Sequence, residues 1–391
     1  MREVAYFDYA ASAGPRPPEV VDAVAAYLRD CGAVPGRGTH RWAIEVGRLV
    51  LRVRQRLAEL LRAPGDPGRI TFHANATAAL NVALRSLVRP GDRVVRTDLD
   101  HNAVRRPLER WARHRRLEVR RLPVARDGSV DLTAAERLLA GARLLVLPHV
   151  SNVLGVALPV RALAERARAA GAFVLLDAAQ SVGHIDVDVT ALGVDAVAFS
   201  GHKGLLGPPG VGVLWLREGV PARPLVRGGT GADSWRVAMP ACLPDRLEAG
   251  TLNAAGLVGL DAALSWHAQH APATRARVHA LAVQLFNALE ALPGVHVLSP
   301  PPSVHGAPIV TIALPGRSSE SVARALDREF GVLVRAGLHC APETHALLGT
   351  LRTGAVRFSL GWRTTPLEVT RAVAAVAAIA MRGNEGGEED A

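Results

Sequence analysis

The sequence predicts an α/β fold, with a large, mostly parallel sheet covered by helices and a smaller α+β unit toward the C-terminus. Two observations lead to this prediction. Short apolar runs alternate with helical runs through most of the chain, which is typical of a parallel sheet with helices on both faces. The chain also has 391 residues, which is long for a single hydrophobic core and indicates roughly two domains.

The first long helix is predicted between Trp42 and Arg62. Apolar residues recur there at steps of three and four, as in an amphipathic helix. These residues are Val46, Leu49, Val50, Val53, Leu57, Leu60 and Leu61. Farther along, strand-like RLLVLPHV precedes PVRALAERARAAG, which predicts a helix closing on Gly171. The strand-like runs AFVLL, DAVAFS and VGVLWL follow, and they predict further strands of the same parallel sheet.

The pattern changes after about Trp266. Helical stretches around residues 274–292 lead to strand-like VHVLS and PIVTIAL, and then to the helical pattern SESVARALDREF. We therefore predict a large domain at residues 16–265 and a small domain at residues 266–382, to which residues 1–15 fold back. The tail at residues 383–391, GNEGGEEDA, is acidic and glycine-rich, which predicts disorder.

The net charge of +10 raises the question of a nucleic-acid partner. The arginines are spread widely, however, and aromatic residues make up only 4% of the chain, too few for an obvious base-stacking platform. The densest basic run, from Arg105 to Arg121, predicts the solvated face of one helix followed by a strand. We therefore expect no nucleic-acid partner. An arginine-rich binding protein is the alternative to an enzyme.

The three cysteines indicate the redox environment in which the protein is found. Cys31, Cys242 and Cys340 are odd in number and lack CxxC spacing, which argues against a disulfide framework and a thiolate zinc site. The start of the chain has no basic stretch leading into an apolar one, and nowhere do about 18 apolar residues run together. We expect a cytoplasmic protein with no membrane association.

One basic residue differs from all the others. Of the 46 lysine and arginine residues, only Lys203 is lysine. Arginine is permanently protonated, so it serves ion pairing but cannot act as an amine nucleophile. A lysine retained against this bias indicates a covalent role for its amine. The alternative is that this one lysine remained by chance on a solvated loop.

Polar residues follow three predicted strands where each ends. Asn152 follows the first, Asp177 and Gln180 follow the second, and the third leads into a loop with Ser200, His202 and Lys203. In open α/β sheets the ligand site lies beyond the carboxyl ends of the strands. We therefore expect these side chains to share one crevice.

The spacing of these residues suits pyridoxal phosphate. A lysine forms a Schiff base with its aldehyde, and a carboxylate such as Asp177 keeps the ring nitrogen protonated. Hydroxyl, imidazole and backbone donors can neutralise the phosphate. Taken singly, Asp177 could instead be a helix cap and Ser200 a turn residue.

Longer motifs carry a resemblance. VLLDAAQSVGHIDVDV and DAVAFSGHKGLLGPPGVGVLW closely resemble the class V aminotransferase family, which has the type I fold of pyridoxal-phosphate enzymes, and in particular its cysteine desulfurase branch. The resemblance extends to YFDYAAS near the start, GRGTHRWAIEVGR at 36–48, FHANATAALN at 72–81, DHNAV at 100–104, HVSNVLG at 149–155, LEAGTLN at 247–253, RAGLHCAP at 335–342 and VRFSLGW at 356–362.

The resemblance implies a role for each candidate around the cofactor ring. Lys203 would form the Schiff base and then move the substrate's Cα proton. Asp177 would pair with the ring nitrogen, Gln180 would bind the ring hydroxyl with Asn152 nearby, and His101 would stack on the ring face.

The resemblance also implies where the phosphate binds. Thr77, Ser200 and His202 would hold it. Thr251 matches a threonine that the other subunit contributes to this site in the family, which implies a homodimer.

Cys340 decides the reaction that the resemblance implies. In the family, a cysteine at this position takes sulfur from L-cysteine as a persulfide and leaves L-alanine, and Arg357 matches the residue that binds the substrate carboxylate. Only a thiolate is competent for that attack. A buried structural cysteine is the alternative. A metal site of Cys340 with His339 and His345 matches no common zinc spacing, so we expect no metal.

Three departures from the family pattern leave the substrate and the sulfur acceptor open. Ala78 stands where glutamate is common, Leu338 where a subgroup has histidine, and Thr364 where asparagine is frequent. The short link around Cys340 resembles the branch whose persulfide is removed by an acceptor protein. The alternatives within the fold are a selenocysteine lyase and another class V lyase or aminotransferase. Outside enzymes, the alternative is a nucleic-acid-binding protein on a scaffold that has lost its cofactor.

Overall fold

The computed structural model describes residues 4–36, 38–232 and 234–382. The tail at residues 383–391, for which we predicted disorder, lies outside the described residues. The strands are β1 (Ala5–Tyr6), β2 (Ile70–His73), β3 (Arg93–Thr97), β4 (Glu118–Leu122), β5 (Leu144–Pro148), β6 (Phe173–Asp177), β7 (Ala196–Ser200), β8 (Gly212–Leu216), β9 (His296–Val297), β10 (Ile309–Ala313), β11 (Val332–Leu333), β12 (Arg335–Gly337) and β13 (Ala355–Ser359). The helices are α1 (Pro18–Asp30), α2 (Arg41–Leu60), α3 (Ala76–Leu87), α4 (Asn102–Arg115), α5 (Leu132–Leu139), α6 (Val160–Ala169), α7 (Val189–Leu192), α8 (Ala254–Glu290), α9 (Ser319–Phe330), α10 (Pro342–Leu347) and α11 (Pro366–Met381).

Seven strands form the large sheet, in the order β2-β8-β7-β6-β5-β3-β4. The pairs from β4 through β7 are parallel, which confirms the predicted mostly parallel sheet. Strand β8 differs, because it runs antiparallel to both β7 and β2. No helix lies between β7 and β8, and without a crossover helix the chain cannot return to start a parallel strand.

Both faces of this sheet are buried by helices. Along β5, Leu144 and Val146 join a buried apolar cluster with α3 and α4, whereas Leu145 and Leu147 join a cluster with α2, α5, α6 and the first half of α8. Alternate side chains of a strand point to opposite faces. The strand is therefore apolar throughout, which is why its sequence reads as a continuous apolar run.

Helix α8 is longer than the sequence indicated. We expected helical stretches around residues 274–292, but α8 begins at Ala254 and continues through Pro272. Its first half packs against both α1 and α2, so its apolar residues form no single stripe. The predicted domain boundary after residue 265 lies within this helix. Among the described residues, no helix is both long and apolar enough to cross a bilayer.

A second, antiparallel sheet lies in the C-terminal part, in the order β12-β13-β10-β9. The N-terminal segment joins this part of the molecule, because β1 pairs with β11 and Ala5 and Phe7 enter its apolar cluster. This pairing brings the start of the chain next to β13, where Asp8 bridges to Ser359. Residues far apart in sequence therefore meet beside the large sheet.

A buried ion pair fixes the segment before Thr251 to the large sheet. Arg54 and Glu248 are joined by two hydrogen bonds of 2.8 and 2.7 Å, and Glu248 also accepts from the backbone N of Phe72 at 2.6 Å. Both side chains are 5% exposed. Removing one partner of such a pair leaves an uncompensated buried charge.

We therefore predict that Glu248→Leu lowers the free energy of unfolding by about 3 to 5 kcal/mol, measured by urea denaturation. The matched control is Glu165→Leu, which removes the partner of Arg161 in a solvent-exposed pair and is expected to leave stability unchanged within error, since exposed pairs contribute little. Equal effects of the two substitutions would contradict a structural role for the Arg54–Glu248 pair.

Candidate active site

A cavity of about 250 Å³ lies at the carboxyl edge of the large sheet, against the C-terminal part. Ten of the eleven side chains that the sequence singled out line it. These ten are Thr77, His101, Asn152, Asp177, Gln180, Ser200, His202, Lys203, Cys340 and Arg357. A larger cavity of about 770 Å³ lies on the other side of Lys203 and contains none of the other candidates.

Strand direction explains this convergence. Asp177 is the last residue of β6 and Ser200 the last of β7, and Asn152 follows β5 by four residues. Because β5, β6 and β7 are parallel neighbours, their carboxyl ends meet at one edge.

Lys203 lies in the loop that turns the chain from β7 into β8. The loop is held by a bond from Leu206 N to Lys203 O of 2.9 Å and one from Gly207 N to Gly201 O of 2.8 Å. Burial lowers the pKa of Lys203 to about 8; the Asp177 carboxylate opposes this shift and the Arg357 cation adds to it. A neutral, nucleophilic amine is therefore much more accessible than in an exposed lysine.

Asp177 and Gln180 form the buried floor of the cavity. One Asp177 oxygen accepts from Ala179 N at 3.0 Å. The Gln180 amide nitrogen donates to Ala10 O at 3.0 Å, which fixes its oxygen toward the interior. That oxygen is buried and has no partner among the described residues. Buried polar atoms are nearly always bonded, so this acceptor indicates a missing donor.

His101 caps α4 and is oriented by that role. Its Nδ1 accepts from Ala103 N at 3.0 Å, so in the neutral ring the proton resides on Nε2. Burial lowers the pKa of His101; Asp177 opposes this shift, and Lys203 adds to it. The ring is therefore neutral near pH 7, with one N–H free to donate.

The N-terminus of α3 forms the far end of the cavity. Asn75 caps the helix by accepting from Ala78 N at 2.9 Å, and Ala76 N donates to Ser200 Oγ at 3.3 Å. Thr77 lies in the first turn, where backbone N–H groups favour an anion. The turn packs closely on β8: a Cβ at Gly212 would lie 2.2 Å from the Asn75 carbonyl carbon, so only glycine fits there.

His202 lies beside this helix N-terminus. Its Nδ1 is 3.2 Å from Ser12 Oγ. Burial, with smaller effects of Lys203 and Arg16, lowers the pKa of His202 to about 4. His202 is therefore a neutral hydrogen-bonding group near pH 7 rather than a charged one.

Arg357 reaches the cavity from β13 and is held on two sides. It donates to Asp8 Oδ1 at 2.9 Å and to Asn152 O at 2.9 Å, and its side chain is 3% exposed. Sequence reasoning missed Asp8, although YFDYAAS had been singled out as a motif. Arg335 was also missed; it lines the cavity and lies 3.7 Å from the other oxygen of Asp8.

Cys340 is exposed and lies in the short connection between β12 and α10. Its carbonyl accepts from Asn102 N at 2.8 Å, and the preceding carbonyl, of His339, accepts from Asn152 Nδ2 at 2.7 Å. Glu343, in the helix that follows, pairs with Arg96 at 2.8 Å. The cysteine is thus tied to the edge of the large sheet.

Thr251 is the one candidate that lies elsewhere. Its side chain is exposed and lines a separate cavity of about 360 Å³ with Phe72 and Glu248. Within one chain, therefore, Thr251 does not reach the cavity of Lys203.

The chain is similar to known proteins in sequence and in fold. The family described as Aminotransferase class-V matches residues 5–371. The chain is 36% identical to a cysteine desulfurase of Pectobacterium atrosepticum, over 95% of this chain and 92% of that one. It is 32% identical to a probable cysteine desulfurase of Methanothermobacter thermautotrophicus, over 94% and 93%. An apo structure of a cysteine desulfurase from Thermococcus onnurineus superposes with a TM-score of 0.88 at 31% identity, covering 96% of this chain and 94% of that one.

Proposed function

The chain belongs to the class V aminotransferase family, and from that membership we propose that it is a cysteine desulfurase that uses pyridoxal 5'-phosphate. It converts L-cysteine into L-alanine and takes the sulfur onto Cys340. The observation that carries the proposal is the exposed thiol of Cys340 in the same cavity as Lys203 and Arg357. The exchange balances: the Cβ–S bond of the substrate breaks, a S–S bond forms on Cys340, and the Cβ carbon gains the proton and the electron pair.

The cavity fits the cofactor in three respects. The unpartnered oxygen of Gln180 can accept from the ring hydroxyl, and the Asp177 carboxylate can hold the ring nitrogen protonated. The first turn of α3, with Ser200 and His202 beside it, supplies neutral donors for a phosphate. When bound, the cofactor supplies an electron sink for the bond-breaking at the substrate.

Three side chains of the protein would then have separate roles in the reaction. Lys203 holds the cofactor and, once released, moves a proton at the substrate Cα. His101 packs its neutral ring over the site and offers its Nε2 proton. Arg357, with two of its nitrogens committed to Asp8 and Asn152, orients the substrate carboxylate, because a planar guanidinium binds a carboxylate in a fixed geometry.

Incubation of the purified protein with L-cysteine tests the function. Alanine and persulfide sulfur should form in equal amounts, with a dithiol present to release the sulfur as sulfide. Parallel reactions with L-selenocysteine and other amino acids distinguish a selenocysteine lyase or an aminotransferase. Formation of pyruvate and ammonia in place of alanine would refute the proposal. We further propose that a thiol of an acceptor protein removes the sulfur in the cell.

The pKa of Lys203 predicts how the cofactor-free protein takes up pyridoxal phosphate. Only the neutral amine attacks an aldehyde, and the pKa is lowered from 10.5 to about 8. The uptake rate, followed by absorbance in a stopped-flow instrument, should therefore rise with pH up to about 8 and then level off. Butylamine in solution, with an unperturbed amine, is the control and should keep accelerating above pH 9. A protein that also kept accelerating there would contradict the lowered pKa.

We also propose a homodimer in which Thr251 of each chain completes the phosphate site of the other. Thr251→Ala should weaken cofactor binding by about 10-fold to 100-fold, because it removes one hydrogen bond to a charged group, while the protein remains a dimer. Equilibrium dialysis and sedimentation velocity measure the two quantities. Thr190→Ala, on the surface near Arg62, is the control. A monomer with a full complement of cofactor would contradict the proposal.

A further inference from the structure

The backbone at Cys340 is unusual and requires an explanation. His339 and Cys340 have φ angles of +48° and +56°, and they are the only two consecutive non-glycine residues with positive φ in the described part of the chain. Ala341 N donates to Leu338 O at 2.8 Å, which closes a turn with the φ pattern of type I′. Glycine, asparagine and aspartate dominate such turns, so the surroundings must hold a His-Cys pair in this conformation.

A chain of buried side chains runs behind the turn. His339 Nδ1 is 3.1 Å from His345 Nε2, and His345 Nδ1 is 2.8 Å from Thr350 Oγ1. On its other side, His339 Nε2 is 3.3 Å from Arg335 O. All three side chains are at most 6% exposed. The planes of the two rings differ by 22° and their centroids are 5.3 Å apart.

The hydrogen bonds fix the position of the proton on each of the three side chains, those of His339, His345 and Thr350. A carbonyl only accepts, so His339 Nε2 carries the proton and its Nδ1 accepts. His345 must then donate from Nε2, which leaves its Nδ1 to accept from the Thr350 hydroxyl. Burial lowers the pKa of His339 to about 2 and of His345 to about 4, so both rings stay neutral. A single arrangement satisfies all the groups.

From this arrangement we propose that His345 and Thr350 are positioning residues for Cys340. They lock the ring of His339, which holds the left-handed turn and directs the neighbouring thiol into the cavity. Two further hydrogen bonds hold the turn, because Asn102 N donates to the Cys340 carbonyl and Asn152 Nδ2 donates to the His339 carbonyl. The inference deepens the proposed function and rests on it for the role of the thiol, but the geometry of the turn can be tested without turnover.

The test uses Thr350→Val, which keeps the shape of the side chain and removes the hydroxyl, and Thr350→Ser, which keeps the hydroxyl. In Thr350→Val we expect kcat for alanine formation to fall about 10-fold to 100-fold, as misplacement of a reacting group does, with KM for L-cysteine unchanged. Alkylation of Cys340 by iodoacetamide should change several-fold in rate, and ¹⁵N NMR should show a shift of the His345 Nδ1 signal, because that nitrogen loses its hydrogen-bond donor. Thr350→Ser should resemble the wild type in all three measurements.

Thr71→Val is the matched control, because it also removes a buried hydroxyl bonded to a histidine, at 2.9 Å from His73 Nε2. It should leave alkylation of Cys340 unchanged. Wild-type alkylation and an unchanged His345 Nδ1 signal in Thr350→Val would overturn the proposal. If the wild-type protein formed no alanine but Thr350→Val still altered alkylation and the His345 Nδ1 signal, the proposed function would fail while the positioning role stood.

Discussion

Replacing Lys203 with arginine is expected to abolish the visible absorption band of the bound cofactor and to reduce alanine formation by several orders of magnitude. Arginine keeps the positive charge beside Asp177, but its guanidinium stays protonated and does not act as an amine nucleophile. No other lysine exists in the chain to replace the lost amine. Absorption spectra of the purified variant and an alanine assay measure the two effects.

A second substitution separates the amine from the rest of the side chain. Lys203→Ala leaves space in the cavity, so an added small amine such as ethylamine should restore part of the proton-transfer step, whereas it should do nothing for Lys203→Arg. Circular dichroism checks that both variants fold. Turnover by Lys203→Arg at the wild-type rate would show that the covalent role assigned to Lys203 is wrong.

Replacing Cys340 with alanine is expected to separate cofactor chemistry from sulfur transfer. Lys203, Asp177, Gln180 and His101 are untouched, so the variant should stay yellow and still change its spectrum when L-cysteine is added. Alanine and sulfide formation should fall by orders of magnitude, because neither Cys31 nor Cys242 lines the cavity. Activity on selenocysteine should fall less, since selenium leaves more readily.

Cys242→Ala is the control for this experiment. Cys242 is also exposed, but it lines a different surface cavity with Arg223 and Arg246, so its loss should not affect turnover. Mass spectrometry of the wild-type protein after a short exposure to L-cysteine should find the extra sulfur on Cys340. Sulfide release by Cys340→Ala at the wild-type rate would favour a simple lyase over a desulfurase.

The sheet could be predicted because its strands are buried on both faces, so the sequence of each strand is a continuous apolar run. The candidate side chains could be grouped because they follow parallel strands, whose ends share one edge. The direction of β8 could not be predicted from its apolar run. It is antiparallel because no crossover helix lies between β7 and β8. The start of α8 was missed because packing against two helices removes the single apolar stripe.

Parts of the candidate site depend on pairings that no local pattern reveals. Asp8 and Arg357 are 349 residues apart in sequence, and they meet because β1 joins the C-terminal part beside β13. The chain from His339 to Thr350 depends on ring orientations. In the sequence, His339 and His345 were considered only as metal ligands. In the structure, their facing nitrogens form a hydrogen bond with each other.

The position of the lone lysine has a consequence for enzymes that modify lysine side chains. Enzymes that attach ubiquitin-like tags to lysine find one side-chain amine in this chain. That amine lies between cavities of about 250 and 770 Å³, which are too small for a folded tag. A modification of Lys203 would also abolish the proposed activity, because the amine would no longer be available to the cofactor. Lysine-directed tagging of the folded protein is therefore expected to fail, because Lys203 is the single lysine side chain on which it could act.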